Sequence, residues 1–427
     1  MLDFTKLRSG PDGWRGSFER LIQHLAETAP PSDAVEFRPI HGAGGDGGIE
    51  AYWVLSDDSE TGYQAKFHPL GSEIDWSALD GSVETALATH PRLTHLVVAM
   101  PRDLTDVTAR RGKSTREKWD ERCGRWIENA KPRQVSFSFL GESQIERLLA
   151  MPAAAGIREY WFGEVELSDD WFRRQFTRTA AALEERYHPE DHVEVSAGHL
   201  FDALRGHAVW RADYARLAAE AVAALPPPGE PGSSFHSEFH ALNTALAELT
   251  TLSAVTYGPT ETFPTARWRT AVDNAIDHSR AAMHRLDSEE DGDRIRRLRE
   301  AIGLVENQLS LLSARLATEF QVADDGRYAI VEGEAGGGKS HIMAASIEAA
   351  ILAGEPAIML LGTDFAGTGE PGEQIARRFE LPGLATATLL GALDAAAAAR
   401  GTRALIAIDA LNEGAGGGYW RSRLAAF

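Results

Sequence analysis

The chain has 427 residues, enough for two or three domains with their own cores, and 43% hydrophobic with 25% charged residues is an ordinary globular composition. A net charge of −20 excludes a protein that coats nucleic acid through bulk electrostatics, but leaves room for a local basic site. The single Cys123 excludes an intrachain disulfide and a cysteine-based zinc site; with no apolar core at Met1 to Leu7 and no apolar stretch of membrane-spanning length, the expectation is a cytoplasmic protein without a membrane partner.

Trp14, Phe18, Leu21, Ile22 and Leu25 recur at helical spacing, which predicts an amphipathic helix over residues 14–28, ended by Pro30-Pro31. A strand is expected from Val35 to Ile40, then a loop, His41 to Gly48, dominated by glycine. Two more strands follow, Ile49 to Leu55 and Gly62 to His68, joined by a turn rich in Asp and Ser. Side chains alternate along a strand, so Gln64 and Lys66 share one face while Tyr63, Ala65 and Phe67 share the other. Glu50, at the start of the neighbouring strand, faces the same spot, and Glu19 at the edge of the helix stripe is within reach. Carboxylates with an amide oxygen make a hard-oxygen site suited to Mg²⁺, with Lys66 to stabilise charge on a phosphate; such a site hydrolyses phosphodiesters. The plainer alternative is a two-stranded hairpin with a Gly-rich loop and surface charges.

Further strands are expected at Leu93 to Met100 and Val135 to Leu140, with a helix over 74–88. Between them Arg110, Arg111, Lys113, Arg116, Lys118, Arg122 and Arg125 face only Glu117, Asp120 and Glu121, a segment that either tracks a phosphate backbone or forms a solvated helix face. From Glu164 to Phe320 the periodicity is helical and broken once, by Pro226 to Gly232. His236 and His240 lie one helical turn apart, but Ser237 stands where a zinc protease needs Glu, so an exposed helix face is the expectation.

The run Gly333-Glu334-Ala335-Gly336-Gly337-Gly338-Lys339-Ser340 fits GxxxxGK[ST], the P-loop pattern. It follows an apolar run expected to be a strand, Tyr328 to Val331, and precedes a helix-like stretch, His341 to Leu352. Gly333, Gly336, Gly337 and Gly338 let successive backbone N–H groups converge on phosphate oxygens, Lys339 reaches the β- and γ-phosphates of ATP, and Ser340 holds Mg²⁺. Beyond a strand-like run from Ala357 to Leu361, the buried-strand pattern Ala404 to Ile408 ends in Asp409, which suits the Mg²⁺ shell, and Glu413 suits the polarising of an attacking water.

Two resemblances follow. The order Phe18-Glu19, Gly45-Asp46-Gly47-Gly48-Ile49-Glu50, Gln64-Ala65-Lys66 resembles the Mrr-like branch of the PD-(D/E)XK nucleases, which implies metal binding by Glu50 and Gln64, catalysis by Lys66, and Glu19 and Asp46 as supporting ligands. Asp is usual in that branch where this chain has Glu50, which shifts weight to Asp46. Arg186-Tyr187-His188-Pro189-Glu190, the P-loop, Leu360 to Phe365 and Ile408-Asp409-Ala410-Leu411-Asn412-Glu413 look like the bacterial antiviral STAND NTPases of the Avs group, relatives of NACHT proteins; Asn412 departs from the wider pattern.

The fold class these resemblances imply is a multidomain α/β protein. It comprises a PD-(D/E)XK restriction-endonuclease-like α/β domain (1–162), a helical connector (163–322) and the N-terminal part of a P-loop STAND/NACHT-like NTPase domain with parallel strands (323–427). The implied function is a Mg²⁺-dependent endonuclease on double-stranded DNA, controlled by ATP-dependent homo-oligomerisation, with a tetramer as one size. A viral protein would trigger it only through a sensor that these motifs do not include. The alternatives are an ATP-dependent restriction endonuclease of type IV kind and a catalytically inactive DNA-binding scaffold.

Overall fold

The computed structural model describes the chain apart from residues 1, 11, 41–46, 107–111, 190–197, 206–207, 226–234, 255–263, 290–291, 325–327, 335, 382 and 424–427. It divides into two compact units, residues 1–181 with 350–427 and residues 182–349. The units do not follow sequence segments: the last 78 residues belong with the first 181.

The first unit is built on a five-stranded mixed sheet of order β1-β2-β3-β4-β5: β1 (Ala34–Pro39), β2 (Ala51–Leu55), β3 (Glu60–Ala65), β4 (Leu93–Ala99) and β5 (Ser136–Leu140). β1, β2 and β3 pair antiparallel, and β3, β4 and β5 pair parallel. The central β3 is buried at all six positions, as expected of a strand with neighbours on both sides and layers on both faces. Helix α1 (Gly13–Thr28) lies where the apolar stripe predicts it and buries Phe18, Leu21, Ile22 and Leu25 against β3. The crossovers between the parallel strands are α2 (Trp76–Thr89) and α3 (Thr115–Ala130). Leu79, Val83 and Ala86 of α2, Leu96 and Val98 of β4, and Trp119 and Trp126 of α3 form one apolar core. Asp75 caps α2 through Ala78 N (2.9 Å), and Ser114 with Glu117 makes a reciprocal capping box on α3 (3.1 and 2.7 Å).

Three helices follow: α4 (Glu142–Leu149), α5 (Ala155–Phe162) and α6 (Asp169–Leu183), the last running past the unit boundary. The second unit is helical: α7 (Gly198–Arg205), α8 (Ala208–Ala224), α9 (His236–Ala254), α10 (Thr265–Asp287), α11 (Asp293–Asp324) and the first part of α12 (Lys339–Leu352). Its core runs through Tyr214, Leu242, Leu249, Trp268, Val272, Val305 and Leu309.

The chain then returns to the first unit with two parallel strands, β6 (Ala357–Leu361) and β7 (Leu405–Asp409), and α13 (Pro371–Arg378), α14 (Thr386–Ala398) and α15 (Gly416–Trp420). These elements are keyed to the first 181 residues by specific contacts. Thr179 Oγ1 donates to Met359 O (2.9 Å), Arg400 Nη2 to Leu167 O (3.2 Å) and to Asp169 (2.9 Å), and the Trp171 ring meets Phe379 edge-on. α5 and α14 cross so closely that a Cβ on Gly156 would lie 2.2 Å from the Gly391 carbonyl carbon.

One expected element is absent. Residues 328–334 have no regular structure, and Tyr328, Ile330 and Val331 are 76%, 62% and 40% exposed, so the strand expected before the P-loop does not form. A strand needs a partner ladder, and among the described residues the only sheet neighbour of β6 is β7.

Candidate functional site

Glu50, Gln64 and Lys66 come together at one end of β3. The register that pairs Ala51 with Tyr63 sets Glu50 opposite Gln64, and Glu50, Gln64 and Lys66 are only 3%, 0% and 8% exposed. The chain enters β2 through Gly47 and Gly48, both with positive φ (+58° and +85°). Gly48 is constrained twice, because a Cβ there would lie 2.3 Å from Ser82 O and 2.6 Å from Ala86 N of α2.

That turn takes the backbone away from β3, and the Glu50 side chain replaces it: Ala65 N donates to Glu50 Oε2 (2.7 Å). The Glu50 backbone is fixed as firmly. Its N–H donates to Tyr63 O (2.8 Å), and its carbonyl accepts from Ile40 N (2.8 Å) and from Gln23 Nε2 of α1 (2.7 Å). Gln64 Nε2 donates to Gly48 O (2.7 Å), which turns Oε1 the other way; that oxygen is buried and has no hydrogen-bond partner among the described residues. A buried acceptor left unsatisfied costs about 1–3 kcal/mol, so a cation or donor at this oxygen would be stabilising.

Lys66 follows the last residue of β3, held by its N–H to Ala99 O (2.9 Å), which keeps it on the Gln64 face as alternation predicts. Phe18 packs on Phe67 (centroids 5.7 Å apart), so the α1 turn carrying Glu19 lies beside this end of β3. Glu19 itself is half-buried and ion-paired with Arg15 (3.3 Å). Asp46 lies outside the described residues. Among the described residues no group of three His, Cys, Asp or Glu side chains is placed to hold a metal, which includes His236 and His240, whose rings stack at 6.3 Å. Mg²⁺ needs fewer protein ligands, since it keeps several waters and takes one or two carboxylates. A Glu50 carboxylate and an unsatisfied amide oxygen fit that demand.

The basic segment resolves into ion pairs. Arg122 and Arg125 both meet Asp80 of α2 (3.4 and 3.2 Å), Lys113 meets Glu121, Arg116 meets Asp106 (3.7 Å), and the Arg122 guanidinium stacks over Trp76 (4.6 Å). Arg110 and Arg111 lie outside the described residues.

The Gly333–Ser340 loop belongs to the second unit. Gly336 and Gly338 have φ of +80° and +76°, the left-handed conformation that glycine adopts without strain, while Ala335 is outside the described residues. Lys339 starts α12, and its Nζ turns back over the loop to donate to Gly333 O (2.8 Å) and Glu334 O (2.6 Å). Ser340 and His341 follow in the first turn of α12. Tyr187 packs on this helix, its hydroxyl donating to Glu348 (2.6 Å) and its ring lying against His341.

Asp409 and Glu413 belong to the first unit. Asp409 ends β7 opposite Leu361 and is 5% exposed, with Oδ2 buried and unpartnered among the described residues. Ala410 then turns at φ +55°, and Gly362 packs so tightly on it that a Cβ would meet Ala410 O at 2.0 Å, which holds the loops after β6 and β7 together.

Gln23, whose amide holds the Glu50 carbonyl, was not foreseen as part of the site. Gln23 had a signal, being polar inside the apolar stripe Leu21, Ile22, Leu25. Comparison with protein-family models, with curated proteins and with solved structures gives no match to this chain.

Proposed function

We propose that the Glu50–Gln64–Lys66 site is a Mg²⁺-dependent phosphodiesterase acting on double-stranded DNA, and that the Gly333–Ser340 loop binds ATP. The observation that carries the first half is the buried, unpartnered Gln64 Oε1 on a residue in register with Glu50 and two positions before a buried lysine. Glu50 and Gln64 would hold the metal, with Asp46 and Glu19 as further oxygen donors within the same sequence motif. Bound Mg²⁺ supplies Lewis acidity at the phosphate and acidifies a water. Lys66, shielded from solvent, neutralises charge that develops on the phosphate where water screens it least. The β2–β3 ladder, Gln23 and the Ala65 N–H keep the Glu50 backbone and one carboxylate oxygen in place, so ordering the site costs little when substrate arrives.

For the second half, the Lys339 ammonium already sits over the loop and would exchange the Gly333 and Glu334 carbonyls for phosphate oxygens. Ser340 would hold the nucleotide's Mg²⁺, while the roles of Asp409 and Glu413 rest on their sequence motif alone. In this reading ATP binding drives homo-oligomerisation that licenses DNA cutting in antiviral defence, and a viral protein is sensed elsewhere.

The test is supercoiled plasmid incubated with the full chain and Mg²⁺, with and without ATP, beside Lys66→Ala and Lys339→Ala. Cleavage lost in Lys66→Ala, and reduced in Lys339→Ala only when ATP is present, is the expected result. Cleavage that survives Lys66→Ala would sink the site assignment. If ATP hydrolysis rises with DNA and cutting requires it, the chain acts as a translocating restriction enzyme instead.

A further inference from the structure

The segments that leave the sheet beside Lys66 carry a second unpartnered polar atom. Arg102 follows β4 by three residues, and β4 ends at Ala99, the register partner of Ala65 and the acceptor for Lys66 N–H. The Arg102 guanidinium is fixed at one corner, where Nη1 donates to Ser72 O (2.7 Å) in the loop that follows β3. Its Nε is buried and has no hydrogen-bond partner among the described residues, and no carboxylate pairs with this arginine there. Gln64 Oε1 is an orphaned acceptor and Arg102 Nε an orphaned donor, so the same sheet end presents a place for a cation and a place for an anion.

His68, two residues past Lys66, lies in the field of both segments. Burial lowers its imidazole pKa; Asp75 opposes this, while Arg102, Lys66 and Arg15 add to it. Arg102, Lys66 and Arg15, from three different segments, thus all act on this one imidazole. Asp75 is occupied as the cap of α2.

We propose that Arg102 binds a backbone phosphate of the DNA strand whose scissile phosphate meets Lys66. The inference rests on the DNA-hydrolase reading of that site and adds the residue that sets the strand's position. A guanidinium anchored by one N–H keeps its other donors pre-oriented, and a phosphate oxygen satisfies both the orphaned N–H and the uncompensated charge. Such a contact positions DNA without reading its sequence.

The test is anisotropy titration of a fluorescent DNA duplex with the full chain, with Ca²⁺ in place of Mg²⁺, over a range of KCl concentrations. Arg102→Ala should weaken binding about tenfold for any duplex sequence and reduce the slope of log affinity against log salt by about 1, the signature of one lost phosphate contact. Arg102→Lys should keep the slope. If Arg102→Ala fails to fold, Arg102→Gln, which can still donate to Ser72 O, must show the same loss of slope. An unchanged slope in the neutral variants, with wild-type protein that binds and cuts, overturns this inference alone. Wild-type protein that neither binds DNA nor cuts it with Mg²⁺ overturns the underlying reading, and this inference with it.

Discussion

The Glu50–Lys66 site and the Gly333–Ser340 loop each centre on a lysine, and they are held by opposite means. Lys66 is buried after a central strand, and the contacts that fix Glu50 and its turn come from α1, β3 and α2, spread over residues 23 to 86. Lys339 is half-buried at a helix start, and both of its hydrogen bonds go to carbonyls within six residues. The first arrangement exists only while the sheet and its helices are packed. The second is a local property of a glycine-rich turn and persists here without the strand expected before it. Changes near Glu50 should therefore cost stability as well as chemistry, whereas changes in the loop should cost ligand affinity alone.

The largest effect is expected at Gly48. Gly48→Ala places a Cβ against backbone atoms of α2 and imposes φ +85° on a residue that avoids it, so it should destabilise the first unit by about 3 kcal/mol. A urea midpoint within error of wild type would show that α2 can withdraw and that the turn is not fixed.

Glu50 separates structure from chemistry. Glu50→Ala leaves the Ala65 N–H buried without its acceptor, at a cost of about 1–3 kcal/mol. Glu50→Gln keeps an acceptor and should cost about 1 kcal/mol or less, yet it removes the charge that favours a cation. The expected pattern is that Mg²⁺ raises the melting temperature of wild type but not of Glu50→Gln. Equal Mg²⁺ stabilisation of both would mean that the carboxylate serves only the Ala65 N–H.

For the loop the prediction is inverted. Lys339→Ala removes two bonds to exposed carbonyls and should change stability by no more than about 0.5 kcal/mol. ATP affinity should nonetheless fall at least about tenfold, as expected for a lost charge-assisted contact to phosphate. Calorimetric ATP titration together with urea unfolding checks both halves, and a large stability loss without an affinity loss would reverse the contrast.

The same division explains what could be read from the sequence. The glycine turn before α12, with Lys339 at the helix start, was legible because it depends on neighbours in the chain, and β6, β7, α1 and the five strands were legible from periodicity. Gln64 and Lys66 were legible because alternation along one strand fixes their face. The capture of Ala65 N–H by the Glu50 carboxylate was not, since it depends on the path of the chain through Gly47 and Gly48. Nor was Arg102, whose relation to Lys66 passes through the β3–β4 register. The strand at Tyr328 to Val331 was read from composition alone, and apolar composition supplies no ladder partner. The union of residues 350–427 with the first 181 in one unit rests on contacts such as Thr179 to Met359, 180 positions apart, which no local pattern announces.

The smallest effect expected is a pH dependence that belongs to the sheet. His95 of β4 lies between two hydroxyls of β5, with Nδ1 2.6 Å from Ser136 Oγ and Nε2 3.0 Å from Ser138 Oγ, and burial lowers its pKa from the ordinary value of 6.5. A neutral ring donates through one nitrogen and accepts through the other, which suits a hydroxyl on each side. Above pH 6.5 the imidazole is neutral in both folded and unfolded chains, and its contribution is fully present. Below that value the unfolded chain takes up the proton first, so stability falls with pH until the lowered folded pKa is passed. His68 contributes with the same sign, and Glu27, raised by burial and by Asp394, contributes with the opposite sign. The total slope therefore mixes several groups, and only a difference isolates this one. His95→Gln should lose less stability than wild type between neutral pH and about pH 5, measured by urea unfolding at each pH. Parallel losses in the two proteins would show that His95 is protonated alike in the folded and unfolded chains.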